Sequence, residues 1–212
     1  LEELKHFFAT EWNRQHKLMI GYNRRFAPLT KTMVSLLRSV GKPFFANITV
    51  NAGTIDPSSW IVDKKVGGGR IVGELCHFVD FARFISGSKI TSHNMLDLSA
   101  AGDESCSLSL EFEAGDACVI NYLTNGSRKY PKETIEIFCD GRVLKLDNFR
   151  SLKGFGWNAF SSKALLFQNK GQNECVAAFC KALGDGSDMP ISVEEMLEVA
   201  EVCLEVERKL TD

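Results

Sequence analysis

The strictest pattern in the chain is SCSLSLEFE, from Ser105 to Glu113, in which Cys106, Leu108, Leu110 and Phe112 alternate with polar residues. A period of two puts those four side chains on one face of a strand. Ala114-Gly115-Asp116 then interrupts the pattern and ACVINYLT resumes it, which predicts a β-hairpin. Glu133–Cys139 and Arg142–Leu146 flank Asp140-Gly141, a stronger hairpin signal. A sheet built from such strands must bury its apolar face under another layer.

Helical periodicity supplies candidates for that layer. Residues 1–16 repeat apolar side chains at Leu1, Leu4, Phe8 and Trp12. Ala27 to Val40 reads as a helix that stops at Gly41, with Pro43 just beyond. Two more helices are predicted near 170–183 and 192–209, the second opened by the capping box Ser192 and Glu195. PFFANITVNAG reads as a strand, and Leu18 to Tyr22 as a short strand running into a polar turn. Thr54 to Gly69 is rich in turn formers and predicts a long loop with Trp60 in its middle. Helices, then a strand meander over about 89–156, then helices again indicate an α+β fold with a mostly antiparallel sheet.

With 212 residues the chain fits one large domain or two small ones. A formal net charge of −2 and the lack of a Lys/Arg run argue against a nucleic-acid partner. No apolar run approaches the roughly 20 residues of a membrane span, and the charged amphipathic start does not read as a signal peptide. Seven cysteines, an odd number without C-x-x-C spacing, argue against a disulfide framework and a zinc site. Reduced thiols in a cytoplasmic protein are expected. The sequence begins at Leu1 inside a helical pattern, as a fragment of a longer polypeptide would.

GGGRIVGELCHFVDFARFISG, Gly67 to Gly87, carries Glu74, His77 and Asp80 on an otherwise apolar helix. At about 100° per residue, Leu75, Phe78, Ala82 and Ile85 lie close to Ile71 in one stripe. His77 falls on another side with Phe81 and Phe84, and Glu74 and Asp80 lie within reach of it. Two readings stand. In one, His77 is a core histidine held by a neighbouring carboxylate. In the other it is a general acid/base, partly desolvated and oriented by a carboxylate. The glycine run either opens backbone N–H groups to an anion at the helix start or forms a flexible turn. Lys64, Lys65 and Arg70 are either ligands for a phosphate or carboxylate or solvated charges.

Taken in order, MIGYNRRFAP (19–28), NAGTIDPSSWIVD (51–63) and GGGRIVGELCHFVDFARFISG (67–87) resemble Gfo/Idh/MocA-type NAD(P)-dependent oxidoreductases. The match lies after that family's nucleotide-binding domain. It implies a single α+β substrate and oligomerisation domain over 1–212, with a mostly antiparallel open sheet and helices packed on one face. It also implies that NAD or NADP is bound mainly by a Rossmann domain upstream of Leu1, together with a Glu-Lys-Pro lysine. This chain shows no G-x-G-x-x-G after a strand. By position, His77 matches the family's active-site histidine, with Glu74 and Asp80 as supporting carboxylates and no metal. Asn23, Arg25 and Trp60 match positions near the substrate and cofactor cleft. Gly73 stands where many members carry an aspartate. The implied substrate is a sugar, sugar nucleotide or cyclitol, and the implied assembly a homo-oligomer through the sheet face. A non-catalytic ligand-binding or assembly module is the alternative.

Overall fold

The computed structural model describes residues 1–10, 17–56, 58–60, 66–98 and 104–211. Eight strands form one sheet: β1 (Phe45–Asn51), β2 (Ile90–Asp97), β3 (Cys106–Phe112), β4 (Ala117–Leu123), β5 (Glu133–Cys139), β6 (Arg142–Asp147), β7 (Ser151–Phe155) and β8 (Ser162–Ala164). Their order across the sheet is β2-β3-β4-β1-β5-β6-β7-β8. Both sequence-read hairpins form, with Leu108 opposite Ile120 in one and Ile137 opposite Leu144 in the other. Asp140 and Gly141 have φ of 47° and 73°, the positive pair that a tight two-residue hairpin turn requires.

β1 is the earliest strand yet occupies the centre, antiparallel to β5 and parallel to β4. A parallel neighbour needs a long connection. That connection carries the loop after Asn51 and then α3 (Cys76–Ser86), entered through a π-helical turn over Ile71–Leu75. The remaining helices are α1 (Glu2–Ala9), α2 (Pro28–Val40), α4 (Gln172–Asp185) and α5 (Val193–Thr211). Phe78, Val79 and Ile85 of α3 share one core with Val199, Val202 and Val206 of α5 and with Ile48, Leu110, Ile120 and Ile137 of the sheet. Each fully buried side chain of this size contributes about 1.5–3 kcal/mol. The opposite sheet face is half open, with Phe45, Phe138 and Phe155 exposed.

Leu18 to Tyr22 is not a strand. Both edges of β1 are taken by β4 and β5. The Ile20 N–H turns instead to Met196 Sδ, and the Tyr22 N–H to the Ile20 carbonyl. The segment then closes into a 3-10 turn, Asn23–Phe26. Gly171, the residue before α4, abuts that turn at φ 85°. A Cβ there would lie 2.5 Å from Ala27 N and Asn23 O, so only glycine permits the approach. Asn23 Nδ2 donates to the Lys170 carbonyl at 2.8 Å and completes the seat of Arg24 and Arg25.

Candidate functional site

A cleft of about 630 Å³ opens beyond the carboxyl end of β1, lined in part by Asn51, Trp60, Arg70, Gly73, Glu74 and His77. Three local features build it. Extra turn width in the π segment, a geometry that recurs at functional sites, carries Gly73 and Glu74 to the cleft wall. Arg70 is buried just before it, and its Nη1 donates to the Gly53 carbonyl at 2.7 Å. The loop after β1 brings up Trp60, which is 65% exposed. As for an anion at the glycine-led helix start, the protein supplies its own: the Arg70 N–H donates to Glu104 Oε2 at 3.1 Å.

His77 stands with its ring edge-on to Tyr22 at 5.7 Å between centroids. Burial, then the charge of Arg24, push its pKa down to about 4, so the imidazole is neutral at pH 7. Its Nδ1 is buried and has no hydrogen-bond partner among the described residues. Neither carboxylate expected beside it holds the ring. Asp80 is fully buried and accepts from Arg25 Nε at 3.0 Å, with a second, shorter contact from Arg25 Nη2. Glu74 accepts from the Tyr122 hydroxyl at 2.6 Å and pairs with Lys132 at 2.5 Å and Arg70 at 3.5 Å. Although burial works to raise the Glu74 pKa, Lys132 and Tyr122 outweigh it and hold the group below its ordinary value.

Behind the histidine lies a second acid. Glu133 is fully buried and accepts from Arg24 Nη2 at 2.9 Å and Lys170 Nζ at 2.7 Å. Arg24 also lies over the Phe78 ring at 4.4 Å. The cleft's chemistry is thus a neutral imidazole set among cations, beside one ionised carboxylate.

The fold brings His77, Glu74 and Trp60 together at the cleft. Arg25, Asp80 and Asn23 lie elsewhere. Arg25 is committed to Asp80 and to Glu195 at 3.3 Å, and Asn23 to the Lys170 backbone. Of the two adjacent arginines, Arg24 is the one that reaches the cleft. The phenylalanines that share the His77 side of the helix have partners of their own: Phe81 packs against Phe149 at 5.8 Å, and Phe84 lies under Arg25. Sequence reasoning missed Arg24, Tyr122, Arg128 and Lys132. Tyr122 carries a signal, because the alternation of ACVINYLT turns it inward, where its hydroxyl needs a partner. Lys64 and Lys65 lie outside the described residues.

Among the described residues no group of three or more His, Cys, Asp or Glu is placed to hold a metal ion. All seven cysteines are free, six of them buried and Cys180 exposed. No described helix is long and apolar enough to cross a membrane.

No protein-family model and no curated protein sequence matches the chain significantly. Solved structures do. Levoglucosan dehydrogenase in complex with NADH and levoglucosan aligns with a TM-score of 0.80 at 17% identity, over 99% of this chain and 68% of that one. Aldose-aldose oxidoreductase from Caulobacter crescentus, complexed with glycerol, aligns at 0.77 and 17% identity, over 99% of this chain and 66% of that one. UDP-N-acetylglucosamine 3-dehydrogenase from Acidithiobacillus ferrooxidans aligns at 0.75 and 15% identity, over 97% and 65%. This chain therefore spans about two thirds of the length of the proteins it matches. At such identities the likeness is one of fold. The shared architecture is an open and mostly antiparallel sheet with helices on one face.

Proposed function

We propose that this chain is the substrate-side domain of an NAD(P)-dependent oxidoreductase that oxidises or reduces a hydroxyl-bearing carbon of a sugar, sugar nucleotide or cyclitol. The observation that carries the reading is His77: a neutral imidazole at a cleft wall, with a buried nitrogen unpartnered among the described residues. A structural histidine satisfies its nitrogens. One facing a substrate hydroxyl leaves a nitrogen for it.

The glycine-led helix start does not offer itself to a dinucleotide's phosphates, because it is already capped by Glu104. In this reading a Rossmann domain upstream of Leu1 binds NAD or NADP, which when bound takes or gives the hydride. The chain's own residues do the rest. His77 exchanges a proton with the substrate hydroxyl, and its seat on a helix fixes the distance. Glu74, tied to Tyr122, Lys132 and Arg70, holds the basic wall in place and does not touch His77. Trp60 offers an apolar face to a sugar ring. Free thiols throughout suit a reducing cytoplasm.

Reading the gene upstream of Leu1 tests the proposal. A strand–turn–helix with G-x-G-x-x-G, followed by Glu-Lys-Pro shortly before Leu1, is expected. An unrelated upstream domain would leave the fold without its cofactor and favour a binding module.

One observation favours assembly as a second role. Ala117, Phe45, Phe138, Val143 and Phe155 are register partners in turn, forming a row across β4-β1-β5-β6-β7 on the open face. Phe45, Phe138 and Phe155 are 44–55% exposed. The row lies at the opposite end of β1 from Asn51 and the cleft, so a homo-oligomer joined there leaves the cleft open. Sedimentation is expected to show an oligomer at micromolar concentration, and a monomer there would remove this role.

A further inference from the structure

The cleft is basic on a chain whose formal charge is −2. Among the described residues its lining holds four cations, Arg24, Arg70, Arg128 and Lys132, and one carboxylate, Glu74. Glu74 is shared by Lys132 and Arg70, and Glu133 behind it by Arg24 and Lys170. Each acid thus faces two cations. Arg128 has no carboxylate partner among the described residues; its Nη2 donates to the Thr54 carbonyl at 2.7 Å and the side chain is exposed. Arg70, 6% exposed, has a buried Nε with no acceptor among the described residues. Asp56, on the loop beside the cleft, turns to the N–H and hydroxyl of Ser58.

We propose that the cleft takes a carbohydrate bearing an oxyanion, a carboxylate or a phosphate, gripped by Arg128 and Lys132. The inference rests on the reading of the cleft as a carbohydrate site and narrows its substrate class. A neutral sugar would leave the surplus of positive charge unmatched in a partly walled cleft, where fields are focused. An oxyanion matches it through charge-assisted hydrogen bonds, bidentate where arginine supplies them. The histidine gains as well. Arg24 and Lys170 help to depress its basicity, and an anion nearby opposes them. The imidazole then becomes a better match for a proton shared with the substrate hydroxyl.

The test is calorimetric binding to the full-length protein containing this chain, with D-glucuronate, D-glucose 6-phosphate and D-glucose as probes. One of the two anions is expected to bind roughly tenfold or more tighter than glucose, equivalent to about 1.4 kcal/mol. The margin should shrink as salt rises. Which anion wins separates a carboxylate ligand from a phosphate ligand. Arg128→Gln combined with Lys132→Gln should bring anion and glucose to within about threefold of each other. Arg128 is exposed and the Lys132 side chain 45% exposed, so the variant should keep a melting temperature near the parent's, and Arg128→Gln alone gives an independent readout. Equal binding of glucose and both anions, a preference untouched by the double variant, or no anion binding at millimolar concentration would overturn the proposal. Turnover on neutral sugars without anion preference overturns this inference and leaves the oxidoreductase reading standing. Anion preference without NAD(P)-dependent turnover does the reverse.

Discussion

Two ion networks grow from the same helical segment and are balanced in opposite senses. At Asp80, one cation serves two acids: Arg25 bridges Asp80 and Glu195, with Asp80 fully buried. At Glu74, one acid serves two cations, Arg70 and Lys132, and the Lys132 side chain is 45% exposed. The first network is closed, fastening the 3-10 turn to α3 and α5. The second is open to the cleft and keeps positive charge in reserve. Charged side chains on one segment thus divide into fasteners and cleft-facing groups according to where their partners sit, and a spacing of three residues does not reveal the division.

The largest expected effect comes from breaking the closed network. Asp80→Ala leaves Arg25 buried beside a single, half-buried acid and should cost about 3–5 kcal/mol in denaturant unfolding. A loss below about 1 kcal/mol would mean that the pair fastens nothing. Next comes pH. The folded pKa of His77, about 4, lies below the ordinary 6.5, so the unfolded chain binds the extra proton between those values. Stability from this group is therefore present above pH 6.5 and lost as pH falls toward 4, by on the order of 2 kcal/mol once partial exposure is discounted. Asp80, raised by burial to about 6, works in the other direction: its contribution falls as pH rises from about 4 to 6. Comparing parent and His77→Gln unfolding across pH 4–7 isolates the histidine. Identical pH slopes would show that it titrates normally.

Opening the second network costs less. Glu74→Gln keeps an acceptor for Tyr122 and removes a charge that still reaches solvent, its side chain being 24% exposed, so a loss of about 1 kcal/mol or less is expected. A cost equal to that of Asp80→Ala would erase the contrast. Gly73→Asp should change stability least, within about 1 kcal/mol. Its backbone is not in the left-handed region, and an added Cβ would meet only the Gly67 carbonyl oxygen, at 3.6 Å. A large loss would show that the π turn requires glycine.

The hairpins and the last two helices were legible because one buried face imposes a period on the sequence. Cys106, Leu108, Leu110 and Phe112 are all inward, and the Ser192–Glu195 box closes as read, with the Glu195 N–H donating to Ser192 Oγ at 3.2 Å. β2 falls inside the meander read from about residue 89 but was not resolved as a strand of its own, because an edge strand half exposed along its length has no such period. β7 is short and interrupted by Gly154. The central place of β1 is a matter of pairing over long separations, which local pattern does not encode. In the site, His77, Glu74 and Trp60 were legible from the segment that carries them. The fate of Arg25 and Asp80 was not, because the π turn and the Gly171 contact decide which of two adjacent arginines faces the cleft.

The most direct test of His77 as the acid/base is steady-state turnover of His77→Ala in the full-length protein with NAD(P)+ and its carbohydrate substrate. A fall of roughly 10²–10⁴-fold in kcat, with the melting temperature close to the parent's, is expected if the imidazole exchanges the hydroxyl proton. Turnover within about threefold of the parent would contradict it, and would return His77 to the core as a structural residue.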